Sequence, residues 1–228
     1  MKRKNFFYPT KIRFIIIIGE KCMRKNIEKE QQEWLRLWCD DTKDALLPRV
    51  ALIGDSITEQ TYQVVKMELE GIAVVDYFAT SYSISSPTYR KMLKAFASDT
   101  NYDVICYNYG LHGEDIAADD YELNYFKSLK EITKSAKTVI CLTTEVRCKD
   151  ELDKVDEKWE KIVKERNTRA IKVAKKLNAS VVALYELSVK LGKDAKVTDG
   201  IHFNEAGIEQ IGKCKAKAIK DILSKEKA

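Results

Sequence analysis

The chain has 228 residues, of which 45% are hydrophobic and 33% charged, with a formal net charge of +5. This is enough apolar material for the core of one α/β domain, and its balance is that of an ordinary globular protein. The Lys and Arg residues are spread along the chain, which argues for a solvated surface and against a nucleic-acid footprint.

Six cysteines, Cys22, Cys39, Cys106, Cys141, Cys148 and Cys214, form no C-x-x-C pair. That pattern argues against a zinc ribbon and a disulfide framework, and for a reducing compartment. The apolar run 14–18 has five residues, too few for a membrane span or a signal h-region. A cytoplasmic location without a membrane partner is expected. Residues 1–25 are expected to form a poorly ordered extension, and residues 26–228 a single domain.

In chain order, a helix is predicted over 26–39, with Ile27, Trp34, Leu35 and Trp38 on one face. A strand follows over 49–53, then a helix over 59–70 that ends at Gly71. A second strand is predicted at 72–78, a Ser- and Thr-rich loop at 80–86, and a helix from Pro87 to about 97. The third strand covers 103–109, the next helix 119–135 and the fourth strand 138–143. A long helix spans 153–177, and a fifth strand 180–184. Residues 186–198 read as a loop or short helix, and the last helix covers 205–224 with Asn204 as its N-cap. Alternating helices and near-continuous apolar strands imply a doubly wound parallel sheet.

The chemistry centres on Val50-Ala51-Leu52-Ile53-Gly54-Asp55-Ser56-Ile57-Thr58. A buried strand runs into a tight turn and a helix start, which puts Ser56 at the carboxyl edge of the sheet beside a helix N-terminus. Ser56 there is either a nucleophile or simply an N-cap. The only two histidines are His112 and His202. Asp199 precedes His202 by three residues, a spacing that lets its carboxylate hold Nδ1–H and leave Nε2 free to take a proton from a serine. Ser56, His202 and Asp199 thereby supply nucleophile, base and orienter for acyl transfer.

These residues resemble those of the SGNH (GDSL-type) hydrolases. Gly54-Asp55-Ser56-Ile57 is similar to the block that carries the family's nucleophile, and Asp199-Gly200-Ile201-His202 to the block that carries its acid and base. The resemblance covers about residues 48–222. It implies a flavodoxin-like three-layer αβα sandwich with a five-stranded parallel sheet. It also implies ester or thioester hydrolysis through a serine acyl-enzyme, with no metal and no cofactor.

Two departures stand out. Where the family usually has Gly-x-Asn-Asp, this chain has Gly110-Leu111-His112-Gly113, so His112 is the candidate oxyanion donor. That form, with Thr143-Thr144-Glu145-Val146-Arg147 and Glu165-Arg166-Asn167, is similar to a subgroup of the family. Asn108 is a second candidate donor, or else a hydrogen-bonding residue of the core. Residues 72–86 lack the glycine that usually donates a backbone N–H, which leaves Thr80 or Ser81 as its replacement.

Arg147 stands at the same edge, a candidate for holding a carboxylate or sugar hydroxyl, or for a surface salt bridge. Tyr82, Tyr107 and Tyr109 are candidates for pocket or core, while Trp34, Trp38 and Trp159 read as core. The expected function is a serine esterase acting on a small-molecule or carbohydrate ester, with O-acetyl groups on a sugar as the favoured class. The alternative is a non-catalytic member that binds a glycan or acyl ligand.

Overall fold

A computed structural model describes residues 29–225 apart from Ala45 and Lys134. The expected extension over residues 1–25 lies outside the described residues. The first described element is strand β1 (Leu35–Trp38). It is followed by β2 (Arg49–Gly54), α1 (Ser56–Glu68), β3 (Val74–Thr80), α2 (Pro87–Asp99), β4 (Val104–Asn108), α3 (Ala118–Ile132) and β5 (Lys137–Cys141). A hairpin of β6 (Arg147–Cys148) and β7 (Glu151–Val155) leads into α4 (Glu157–Leu177). Strand β8 (Ser180–Val182), α5 (Leu184–Leu191) and α6 (Glu205–Lys225) follow.

Five parallel strands stand in the order β3-β2-β4-β5-β8, and β1 adds antiparallel to the outer edge of β3. Counting only the parallel strands, this is the flavodoxin-like order. The strands are apolar without interruption because both faces are covered. Val50 and Leu52 of β2 join a cluster with Val65 of α1 and Ile211 and Ile219 of α6. Ala51 and Ile53 join Tyr89 and Leu93 of α2, Tyr125 of α3 and Val173 of α4. Each such Leu or Ile contributes roughly 1.5–3 kcal/mol by leaving water. Strand β2 lies between β3 and β4, at the point where the connections change face, which is where open α/β sheets place ligands.

Several predicted boundaries follow from local chemistry. Ser86 caps α2, with Pro87 at its first position. Asn204 Oδ1 accepts the Gly207 N–H at 3.1 Å at the start of α6.

Two expectations are overturned. The predicted 26–39 helix gives way, over its described residues, to irregular chain at 29–34 and to β1. Leu35-Arg36-Leu37-Trp38 alternates with period two, and the open edge of β3 supplies backbone partners from Thr80 to Tyr77. Trp38 is consequently 55% exposed and Trp34 only half-buried, so neither is a core residue. Trp159, by contrast, packs half-buried against the core. The long helix, predicted from 153, begins at Glu157, because Asp156 caps it by accepting the Trp159 N–H at 3.0 Å and the residues before it form β7.

Behind β1 the chain is fastened by Arg49. Its guanidinium bonds both carboxylate oxygens of Asp76 at 3.0 Å and the carbonyls of Asp40 and Asp41 at 2.9 and 2.7 Å.

Candidate active site

Strand β2 ends at Gly54 and the backbone turns directly into α1. Asp55 caps that helix, its Oδ1 accepting the Ile57 N–H at 3.0 Å. The capping role open to Ser56 therefore falls to Asp55, and Ser56 becomes the first helical residue, half-buried at the carboxyl edge of the sheet. Gly54 makes the turn possible, since a Cβ there would collide with the Asn108 carbonyl oxygen and the Thr58 hydroxyl.

The turn before α6 brings the other two residues. Asp199 Oδ1 accepts the N–H groups of Ile201 and His202 at 2.8 and 2.9 Å. Its Oδ2 lies 2.6 Å from His202 Nδ1, and His202 Nε2 lies 2.7 Å from Ser56 Oγ. The fold thus joins a serine and a histidine that are 146 positions apart. A carboxylate on Nδ1 keeps the proton on that nitrogen and turns the Nε2 lone pair toward the hydroxyl. Partial burial pushes the Asp199 carboxyl up, but His202 and the two backbone N–H groups outweigh it and hold the group below the usual carboxylate range. Gly200, at φ +74°, completes the turn; a Cβ there would collide with the Arg147 carbonyl oxygen.

Among solved structures, a member of the lipolytic G-D-S-L family from Veillonella parvula aligns at 16% identity and a TM-score of 0.59, covering 75% of this chain and 97% of that one. An acetylxylan esterase from Geobacillus stearothermophilus aligns at 13% identity and TM-score 0.59, covering 75% and 94%. The C-terminal catalytic domain of peptidoglycan O-acetyltransferase A from Streptococcus pneumoniae aligns at 17% identity and TM-score 0.59, covering 78% and 94%. This is the SGNH-hydrolase fold. No protein-family profile matches the sequence, and no curated protein sequence is significantly similar to it.

The other residues singled out from the sequence occupy varied places in this SGNH fold. His112 follows β4, with Nδ1 3.5 Å from a carboxylate oxygen of Glu30. The same oxygen accepts the Gly113 N–H at 2.7 Å. Contact with His112, helped by that N–H and opposed by partial burial, holds the Glu30 carboxyl below its usual range. His112 Nε2 is enclosed and meets no hydrogen-bond partner among the described residues.

Asn108 is buried. Its Nδ2 donates to the Cys141 carbonyl at 3.3 Å, tying β4 to β5, which is the core alternative. Ser81 faces the N-terminal segment: its N–H donates to the Trp34 carbonyl at 3.3 Å and its hydroxyl to the Gln32 carbonyl at 2.9 Å. Arg147 is braced within its hairpin, Nε on Glu145 at 2.7 Å and Nη1 on the Leu152 carbonyl at 2.9 Å. Of the alternatives for Arg147 the structure shows a salt bridge, and it is largely buried rather than on the surface. Tyr107 and Tyr109 are fully buried, Tyr107 sharing a 2.7 Å hydroxyl contact with Tyr89.

Sequence reasoning gave no role to Arg166, Asn167, Lys196 or Glu30. Arg166 Nη1 donates to the carbonyls of Gly110 and His112 at 2.9 and 3.0 Å, and Nη2 to that of Gly113. Asn167 accepts the Thr143 N–H at 2.7 Å and donates to the Thr143 carbonyl at 2.9 Å. Two neighbouring residues of α4 thereby hold the loops after β4 and β5. The Glu165-Arg166-Asn167 motif was visible in the sequence, but its partners lie 24 to 56 positions away, which no local spacing reveals.

Proposed function

We propose that this protein is a serine esterase of the SGNH family that removes acyl groups, acetyl in the first instance, from a carbohydrate. The observation that carries the reading is the hydrogen-bonded series Ser56 Oγ, His202 Nε2, His202 Nδ1, Asp199 Oδ2, with contacts of 2.7 and 2.6 Å. Ser56 Oγ attacks the ester carbonyl while His202 Nε2 takes its proton. Asp199 steadies the resulting imidazolium. Collapse of the tetrahedral intermediate expels the alcohol, which receives the proton from His202. Water, deprotonated in turn by His202, then releases the acid from Ser56.

Negative charge on the intermediate is favoured by the N-terminus of α1, which begins at Ser56. In this reading His112 takes the place of the usual third-block asparagine, its Nε2 meeting no hydrogen-bond partner among the described residues. The acetyl-carbohydrate class is supported by the activities named for similar folds, an acetylxylan esterase and a peptidoglycan O-acetyltransferase.

A second reading, a glycan or acyl-ligand binder without turnover, draws on the committed donors: Asn108 serves Cys141 and Ser81 serves residues 32 and 34. Hydrolysis of an activated acetyl ester by wild type and Ser56→Ala separates the two. The esterase reading expects Ser56→Ala to lose turnover by about 10⁴-fold or to background. Equal rates in the two proteins would discard it, and the binder reading expects no turnover by either.

A further inference from the structure

The Thr143-Thr144-Glu145-Val146-Arg147 stretch takes no part in the chemistry above, yet it lies against the Asp199–His202 turn. The Arg147 N–H donates to the Gly200 carbonyl at 2.9 Å, and Gly200 packs so closely on the Arg147 carbonyl that a side chain would not fit. One side chain passes between the two segments. Lys196 is 5% exposed, and its Nζ donates to the Glu145 carbonyl at 2.9 Å and to the Ile201 carbonyl at 2.7 Å. Its third direction is closed by the Phe203 ring, whose centroid lies 3.7 Å away.

The chemistry of an amine suits this place. Two carbonyls take two N–H groups, and the third N–H of an ammonium faces the negative π surface of Phe203. Burial pushes the amine down to about 7, with Glu145 and Asp199 opposing the shift. A neutral amine still has two N–H groups for the two carbonyls, so the link persists in either protonation state.

We propose that Lys196 is the positioning residue of the catalytic turn, pinning Ile201 to Glu145 so that His202 Nε2 stays in line with Ser56 Oγ. The proposal rests on the serine-esterase reading. The His202 imidazole is carried by a turn rather than by a helix or strand, and Asp199 belongs to that same turn. Orientation within the turn is therefore fixed by Asp199, whereas the seat of the turn on the sheet depends on the residues that bridge it to the β5 loop. Displacing a reacting group by about 1 Å costs on the order of 100-fold in rate.

The test uses the full chain with Lys196→Met and Lys196→Arg. It reads the rate of fluorophosphonate labelling at Ser56, kcat and KM for p-nitrophenyl acetate, and a thermal melt. Lys196→Met is expected to lower kcat and the labelling rate by about 10- to 100-fold with KM within about twofold. Lys196→Arg, which keeps donors for both carbonyls, is expected to recover most of that loss. If Lys196→Met does not melt cooperatively, Lys196→Gln decides, with an expected loss of about tenfold in kcat at unchanged KM. Wild-type labelling matched by Lys196→Met, or by Lys196→Gln where that variant decides, would overturn the role of Lys196 alone. A loss expressed in KM would do the same. Wild type that takes no label at Ser56 would defeat the esterase reading, and the proposal with it.

Discussion

At the scale of single residues, the turn that carries Asp199 and His202 is held by a buried lysine, whose Nζ donates to the Glu145 and Ile201 carbonyls. Lys196 shows the cost of such placement. Its amine titrates near 7 in the folded protein, against 10.5 when unperturbed, because burial disfavours the charge. Between those values the unfolded chain binds more protons than the folded one, so this group's contribution to stability rises with pH. Below about pH 7 both states are charged and the desolvation penalty is present in full. The melting temperature of wild type relative to Lys196→Met is therefore expected to rise by several degrees from pH 7 to pH 10. A difference independent of pH, measured by calorimetry, would contradict the buried-amine account.

At the scale of elements, the turn before α6 is the part that tolerates least change. Gly200 adopts φ +74° and touches the Arg147 carbonyl. Gly200→Ala is expected to cost about 1–3 kcal/mol in a urea titration and to lower ester turnover by about 100-fold, because the His202 turn is pushed off its seat. Unchanged turnover would show that the seat does not matter. Elements with local signals were legible in the sequence: the Gly54-Asp55-Ser56 turn into α1, Pro87 opening α2, and Asn204 capping α6. Strand β1 was not. Four residues carry too weak a period to outweigh a helical reading, and what makes them a strand is the edge of β3, about 40 positions away. Arg166 and Asn167 were legible as a motif only. Their role as clamps on Gly110, His112, Gly113 and Thr143 exists once α4 packs beside β5.

At the scale of the whole molecule, the sheet order brings Ser56 at the end of β2 beside the loop after β4 and beneath the turn before α6. The N-terminal segment extends this edge. Glu30 meets His112 and Gly113, Gln32 and Trp34 meet Ser81, and Arg36 pairs with Glu59 one turn along α1 from Ser56. Removing residues 1–38 is expected to lower the melting temperature by more than about 5 °C, since it strips β3 of its antiparallel neighbour and Ser81 of its bonds to Gln32 and Trp34. A truncated protein that melts like the full chain would show that β1 is dispensable. No helix among the described residues is long and apolar enough to cross a membrane.

The central claim is that Ser56 is a nucleophile activated by His202. Fluorophosphonate labelling with the adduct located by mass spectrometry tests it without knowledge of the natural ester. The expected result is a single adduct on Ser56 in the wild type, absent from His202→Ala at the same protein concentration. A folded wild-type protein that takes no adduct, or an adduct on Ser56 that survives His202→Ala at the same rate, would contradict it.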